Sequence, residues 1–236
     1  MQFRRKNKRT RKNTRKTVVE TSEETVVEPT THEALSIGWN CNSAVVGVST
    51  GLRSKRCNGY KTCPFDTMFT NYGGVVQCFE DDFKYFCDTE YLQIIQMPST
   101  CQHFSTNGEG NMLIYNTKYN FLFNHESPHK DHYINECWEK GINHFVMNNY
   151  EEFINRYSRR IRNVRELLKS GKHITFILTR PETDLVDIPE LVHVIKSKYP
   201  SLEFDFKFID FDKAFYHEFL LLMKFDKEDE EVKRLA

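Results

Sequence analysis

The chain has 236 residues, with 33 Lys and Arg balanced by 33 Asp and Glu and 39% apolar residues. That is enough for one sizeable core and at most two small domains, and no run approaches the roughly 18 apolar residues of a bilayer-spanning helix. Seven cysteines, an odd number without a Cys-x-x-Cys pair, sit in a chain with no apolar stretch behind its basic N-terminus, so the expectation is an intracellular protein with reduced thiols, not a secreted disulfide scaffold.

Nine of the first 16 residues are Lys or Arg, and residues 18–31 are rich in Thr, Val and Glu. Neither stretch has a periodic apolar face, so residues 1–31 read as a disordered leader. The basic cluster at 1–16 suits a nucleic-acid contact or an import receptor, or equally a solvated arm. Residues 35–39 then form a strand or turn that stops at Asn40, a good helix cap. Residues 41–50 read as a helix closed by Gly51. This puts Cys41 on a first helical turn, where free N–H groups and the dipole favour a thiolate. The plainer alternative is a small apolar residue at a helix start.

Residues 71–86 read as a helix, with Val75, Val76, Phe79, Phe83 and Phe86 at helical spacing. Residues 91–97 suit a strand, 101–110 a polar loop, and 112–115 with 119–123 a hairpin whose second strand alternates Tyr119, Phe121 and Phe123 with Asn120, Leu122 and Asn124. His125 therefore falls just past a strand end, where a rigid scaffold meets an open loop. With His129, His132 and Cys137 it makes a rival zinc-ligand set, but the spacing fits no standard pattern and a second half is missing, so no metal and no cofactor is expected. Residues 150–170 read as an amphipathic helix, capped by Asn149 with Glu152, with an apolar stripe of Phe153, Tyr157, Ile161, Val164 and Leu168. Arg156, Arg159, Arg160, Arg162 and Arg165 fall on or beside its polar face, either as solvated side chains on apolar stems or as an anion site.

The last third reads as strand 174–178, helix 189–198 with Pro189 in its first turn and Asp187 as cap, and strand 202–208, in which Leu202, Phe204, Phe206 and Phe208 alternate with polar residues. Strand, helix, strand implies parallel pairing. A final helix at 212–224 and a charged tail at 226–236 complete the chain. The fold class expected is α/β with a mixed α+β N-terminal part: a central, at least partly parallel sheet with flanking helices, in one domain over residues 32–225.

Gly38-x-x-Cys41 at a helix start, then Gly51-Leu52-Arg53, Pro64-Phe65-Asp66, Phe123-Asn124-His125 and an Arg-rich helix followed by a strand over 161–178 together resemble the putative papain-like cysteine peptidase family of bacteria and large DNA viruses. The resemblance spans roughly residues 35–210. Thr67 stands where the family's Pro-Phe-Asp element usually continues with Trp. Membership implies a Cys-His hydrolase acting on a protein or peptide, and, if the chain is viral, the cytoplasm or nucleus of a host cell. It implies Cys41 as nucleophile and His125 as base, in the papain-like order. Asp66 would orient the imidazole, with Asp131 as the other option. Asn40 or Asn42, with the Cys41 N–H, would form an oxyanion hole. A papain-like scaffold proper is α+β, so either the pair sits on a different scaffold or the α/β half is an addition. The second function class is a non-catalytic or transferase-like α/β protein that binds an anionic ligand, such as a nucleotide-sugar, through Arg156, Arg159 and Arg160.

Overall fold

The computed structural model describes residues 32–38, 40–100, 105–106, 109–126, 148–180 and 188–210. The leader, Asp131, His129, His132, Cys137, Asp187, the helix read at 212–224 and the charged tail lie outside the described residues. In chain order the elements are β1 (His32–Ser36), α1 (Asn42–Ser49), α2 (Tyr72–Glu80), β2 (Leu92–Gln96), β3 (Ser105–Thr106), β4 (Glu109–Gly110), β5 (Met112–Asn116), β6 (Phe121–Phe123), α3 (Glu151–Leu168), β7 (His173–Arg180), α4 (Ile188–Lys198) and β8 (Phe204–Asp210), with 3-10 turns at Arg56–Asn58, Pro64–Thr67 and Thr89–Tyr91.

Two three-stranded sheets carry the fold. One is wholly parallel, in the order β1-β7-β8, and the other is antiparallel, in the order β2-β5-β6. The expected strand-helix-strand unit is present: β7 and β8 are direct neighbours, with Ile174 opposite Phe204. Central strand β7 buries Ile174, Phe176, Ile177 and Leu178 completely, the continuous apolar run of a strand covered on both faces. Of the stretch read as strand or turn at 35–39, Leu35 and Ser36 close β1, which begins at His32 and pairs with β7 from His173. The hairpin expected at 112–123 forms, with Ile114 opposite Phe123.

The helices follow their apolar patterns but end where local chemistry dictates. Asn71 caps α2, its Oδ1 accepting the Gly74 N–H at 2.7 Å. The helix stops at Glu80, six residues short of the reading, because Asp82 and Phe83 adopt left-handed φ of 50° and 61°. Phe83 and Phe86 still reach the core through the turns that follow. The stripe of α3 is buried as expected. Its cap is not Asn149 but Tyr150, and both residues are left-handed. Phe65 lies at the centre of an aromatic cluster, with ring centroids 6.0–6.3 Å from Phe79, Phe83, Phe86 and Phe121. Such pairs add about 0.5–1.5 kcal/mol each beyond area burial.

The two sheets meet along residues 69–72. Phe69 and Leu122 exchange backbone hydrogen bonds of 2.8 and 3.0 Å. The Thr70 hydroxyl lies 3.4 Å from the Ile37 carbonyl, and the Tyr72 hydroxyl donates to the Thr179 carbonyl at 3.0 Å. Just past β1, Gly38 is pressed against β7: a Cβ there would sit 2.7 Å from Leu178 Cα and Thr179 N, and backbone atoms cannot swing aside. Gly38→Ala is therefore expected to cost about 1–3 kcal/mol in a denaturant melt. An unchanged midpoint would mean that β1 does not pack this closely on β7.

Candidate functional site

Cys41 stands in the turn from β1 to α1. Ile37 N–H donates to Ile177 O at 3.0 Å, carrying the ladder one residue beyond β1. The turn that follows is laced from inside. The buried Ser43 hydroxyl bonds to that of Ser36 and lies 3.2 and 3.0 Å from the carbonyls of Gly38 and Asn40. Asn40 is buried, and its Oδ1 accepts the Asn42 N–H at 2.9 Å and faces the Thr179 hydroxyl at 3.4 Å. This shifts the helix start from the sequence reading. Helix α1 begins at Asn42, and Cys41 is its cap residue, with no side-chain capping bond. The Cys41 carbonyl accepts the N–H groups of Ala44 and Val45, both at 3.1 Å. The Cys41 side chain is half-buried and Asn42 is exposed. The turn lies off the carboxyl end of β1 in the parallel sheet, the edge at which open α/β sheets place ligand crevices.

Asp66 lies beyond the other end of α1. Arg53, whose N–H bonds back to Gly47 O, donates from Nη1 to Asp66 Oδ1 at 2.5 Å. The Tyr60 hydroxyl approaches the same oxygen at 3.3 Å, and the Cys63 N–H donates to Oδ2 at 2.9 Å. The Arg53 guanidinium also covers the Tyr60 ring at 4.1 Å. Both charged side chains are nearly closed off, 9% exposed for Arg53 and 5% for Asp66. Burial pushes the Asp66 carboxyl up and Arg53 pulls it down. Burial likewise disfavours the Arg53 charge, yet Asp66 holds that guanidinium above its ordinary range. Three donors converge on the carboxyl, so the pair is ionised. Thus the Gly-Leu-Arg and Pro-Phe-Asp elements are bolted to one another. The role of Arg53 is not legible in the sequence, because nothing local reveals a partner 13 residues away.

His125 is half-buried at the third position of a turn over residues 123–126, closed by Glu126 N–H donating to Phe123 O at 2.9 Å. Glu126, which the sequence reading passed over, is 2% exposed and is bonded by Arg156 Nη1 at 2.7 and 2.8 Å. The arginines of α3 are thus not one solvated face. Arg160 donates to Thr67 Oγ1 at 2.6 Å and covers the Tyr157 ring at 4.9 Å, Arg165 bonds Asp82 at 3.0 Å, and Arg159 is exposed. Thr67, the residue after Pro64-Phe65-Asp66, serves as the acceptor for Arg160. Among the described residues, no group of three or more His, Cys, Asp or Glu could hold a metal ion, and no helix is long and apolar enough to cross a membrane.

The other described thiols differ in exposure. Cys63 and Cys78 are buried, which pushes their thiols well up; Cys87 is half-buried, with desolvation taking its thiol up to about 12; and Cys57 is exposed.

A parallel sheet with a half-buried cysteine at the turn from β1 to α1, joined to an antiparallel sheet and flanked by helices, defines an α/β protein. The family model described as a putative papain-like cysteine peptidase matches residues 32–214, and the chain belongs to that family. No curated protein and no solved structure matches the chain.

Among the described cysteines, a small alkylating reagent is expected to modify Cys57 and Cys41 in the folded protein, and buried Cys63 and Cys78 only after denaturation, as peptide mapping would read. Native labelling of Cys63 would show that its pocket opens. Asp66→Ala leaves Arg53 buried without its partner and is expected to cost about 3–5 kcal/mol in an unfolding titration. A loss below about 1 kcal/mol, the range of a solvent-exposed pair, would mean that water reaches the pair freely.

Proposed function

We propose that the chain is a cysteine hydrolase, a peptidase or acyl-transfer enzyme acting on a protein or peptide, with Cys41 as nucleophile and His125 as general base. The observation that carries this reading is the place of Cys41: the cap residue of α1, half-buried, at the carboxyl edge of the parallel sheet, in a chain whose family is described as a cysteine peptidase. In the reaction His125 takes the Sγ proton and the thiolate attacks the substrate carbonyl carbon, forming a C–S bond. His125 then gives that proton to the leaving amine as the C–N bond breaks, leaving a thioester. Water attacks the thioester, its proton passes to His125, and Sγ departs.

Oxyanion stabilisation falls to Asn40, with the Cys41 N–H. The Asn40 Oδ1 is already engaged, so the amide NH2 is the end that donates. The Asn42 N–H is committed to Asn40, which leaves only the exposed Asn42 side chain for this task. Asp66 serves in this scheme as a scaffold member, since its oxygens accept from Arg53, Tyr60 and the Cys63 amide. The alternative, an anionic ligand on Arg156, Arg159 and Arg160, has less to draw on, because Arg156 and Arg160 already have partners inside the protein.

Exposed Cys57 is an internal control. At pH about 7 an uncharged electrophile such as iodoacetamide is expected to modify Cys41 at least about tenfold faster than Cys57, as a thiolate held next to a base would do. Cys41→Ala should remove the fast phase. Equal rates at the two cysteines would contradict an activated Cys41.

A further inference from the structure

We propose that Glu126 and Arg156 are positioning residues that hold His125 as a base, an inference that rests on the hydrolase reading above. The turn carrying His125 has two feet, and one face of α3 grips both. The first foot, Phe123, is fully buried, with its ring centroid 4.8 Å from Phe153 and 4.9 Å from Tyr157. The second foot, Glu126, takes both of its oxygens to Arg156. Phe153, Arg156 and Tyr157 are spaced i, i+3 and i+4, so they lie on one side of the helix. The backbone bond from Glu126 N–H to Phe123 O ties the feet together and leaves His125 at the corner between them.

A carboxylate this deeply buried is a poor way to gain stability, since desolvation offsets most of the attraction and an apolar pair of similar volume does as well or better. What a buried ion pair supplies that an apolar pair does not is direction: the Arg156 N–H groups must point at the two oxygens. Slack in the Glu126 foot would let the imidazole swing, and a base displaced by about 1 Å loses much of its effect. From the described residues of α3, Arg156 and Tyr157 face Glu126, and burial pushes the Tyr157 hydroxyl up, so Tyr157 stays neutral over the working range.

The test compares a folded protein without the ion pair to one without the base. The double variant Glu126→Leu/Arg156→Met replaces the pair by apolar side chains and is expected to melt at or near the wild-type temperature. Its iodoacetamide rate at Cys41 is expected to fall about tenfold at pH about 6.5 and to match wild type at pH about 9.5, where the thiolate forms unaided. His125→Ala should show the same shift, or a larger one. A folded double variant with a wild-type pH profile, beside a shifted His125→Ala, overturns the positioning role alone. An unshifted His125→Ala overturns the base assignment and the positioning role together. Should the double variant fail to fold, the isosteric Glu126→Gln carries the comparison: a shifted profile supports the positioning role, and an unchanged one overturns it.

Discussion

The rest of the structure depends on the Arg53–Asp66 ion pair and the three residues that deliver it. Pro64 sets the first turn of the 3-10 segment, Phe65 enters the aromatic cluster, and Asp66 closes on Arg53. One tripeptide therefore fixes the core and the segment after α1 at the same time. Its neighbour Thr67 extends the anchorage to α3 through Arg160. Neither charge can leave without stranding the other in a nearly dry site, so the segment has one arrangement available to it.

What was legible in the sequence is what the local pattern dictates. Strand β7, helix α4 and strand β8 each carry their own periodicity, and a short connection makes parallel pairing the natural outcome. The stripe of α3 and the hairpin of β5 and β6 were legible for the same reason. The pairing of β1 with β7 joins His32 to His173, and no local pattern reports a partner that distant. Helix α2 ended early because left-handed backbone at Asp82 and Phe83 overrides a helical spacing that both conformations satisfy.

The candidate site was legible only in part. Cys41 and His125 lie where chain order and element boundaries put them, one at a strand-to-helix turn and one just past a strand. The cap shifted by a residue because Asn40 turns its oxygen onto Asn42 in place of opening the helix itself. Glu126 went unnoticed because a charged residue in a loop looks solvated until α3 brings Arg156 across 30 residues of sequence. The motif residues that define the resemblance divide accordingly. Gly38 serves close packing, Arg53 and Asp66 form the clamp, and the proposed function assigns the chemistry to Cys41 and His125.

The ionisation of Cys41 tests the central claim most directly. The ultraviolet absorbance of the thiolate, titrated against pH in the wild type and in Cys41→Ala, isolates that one sulfur by difference. If Cys41 is paired with His125, the difference curve shows one thiolate already formed at pH about 6–7. If Cys41 is a packing residue, the curve rises near the ordinary thiol value of about 8.5 or above, and the hydrolase reading fails.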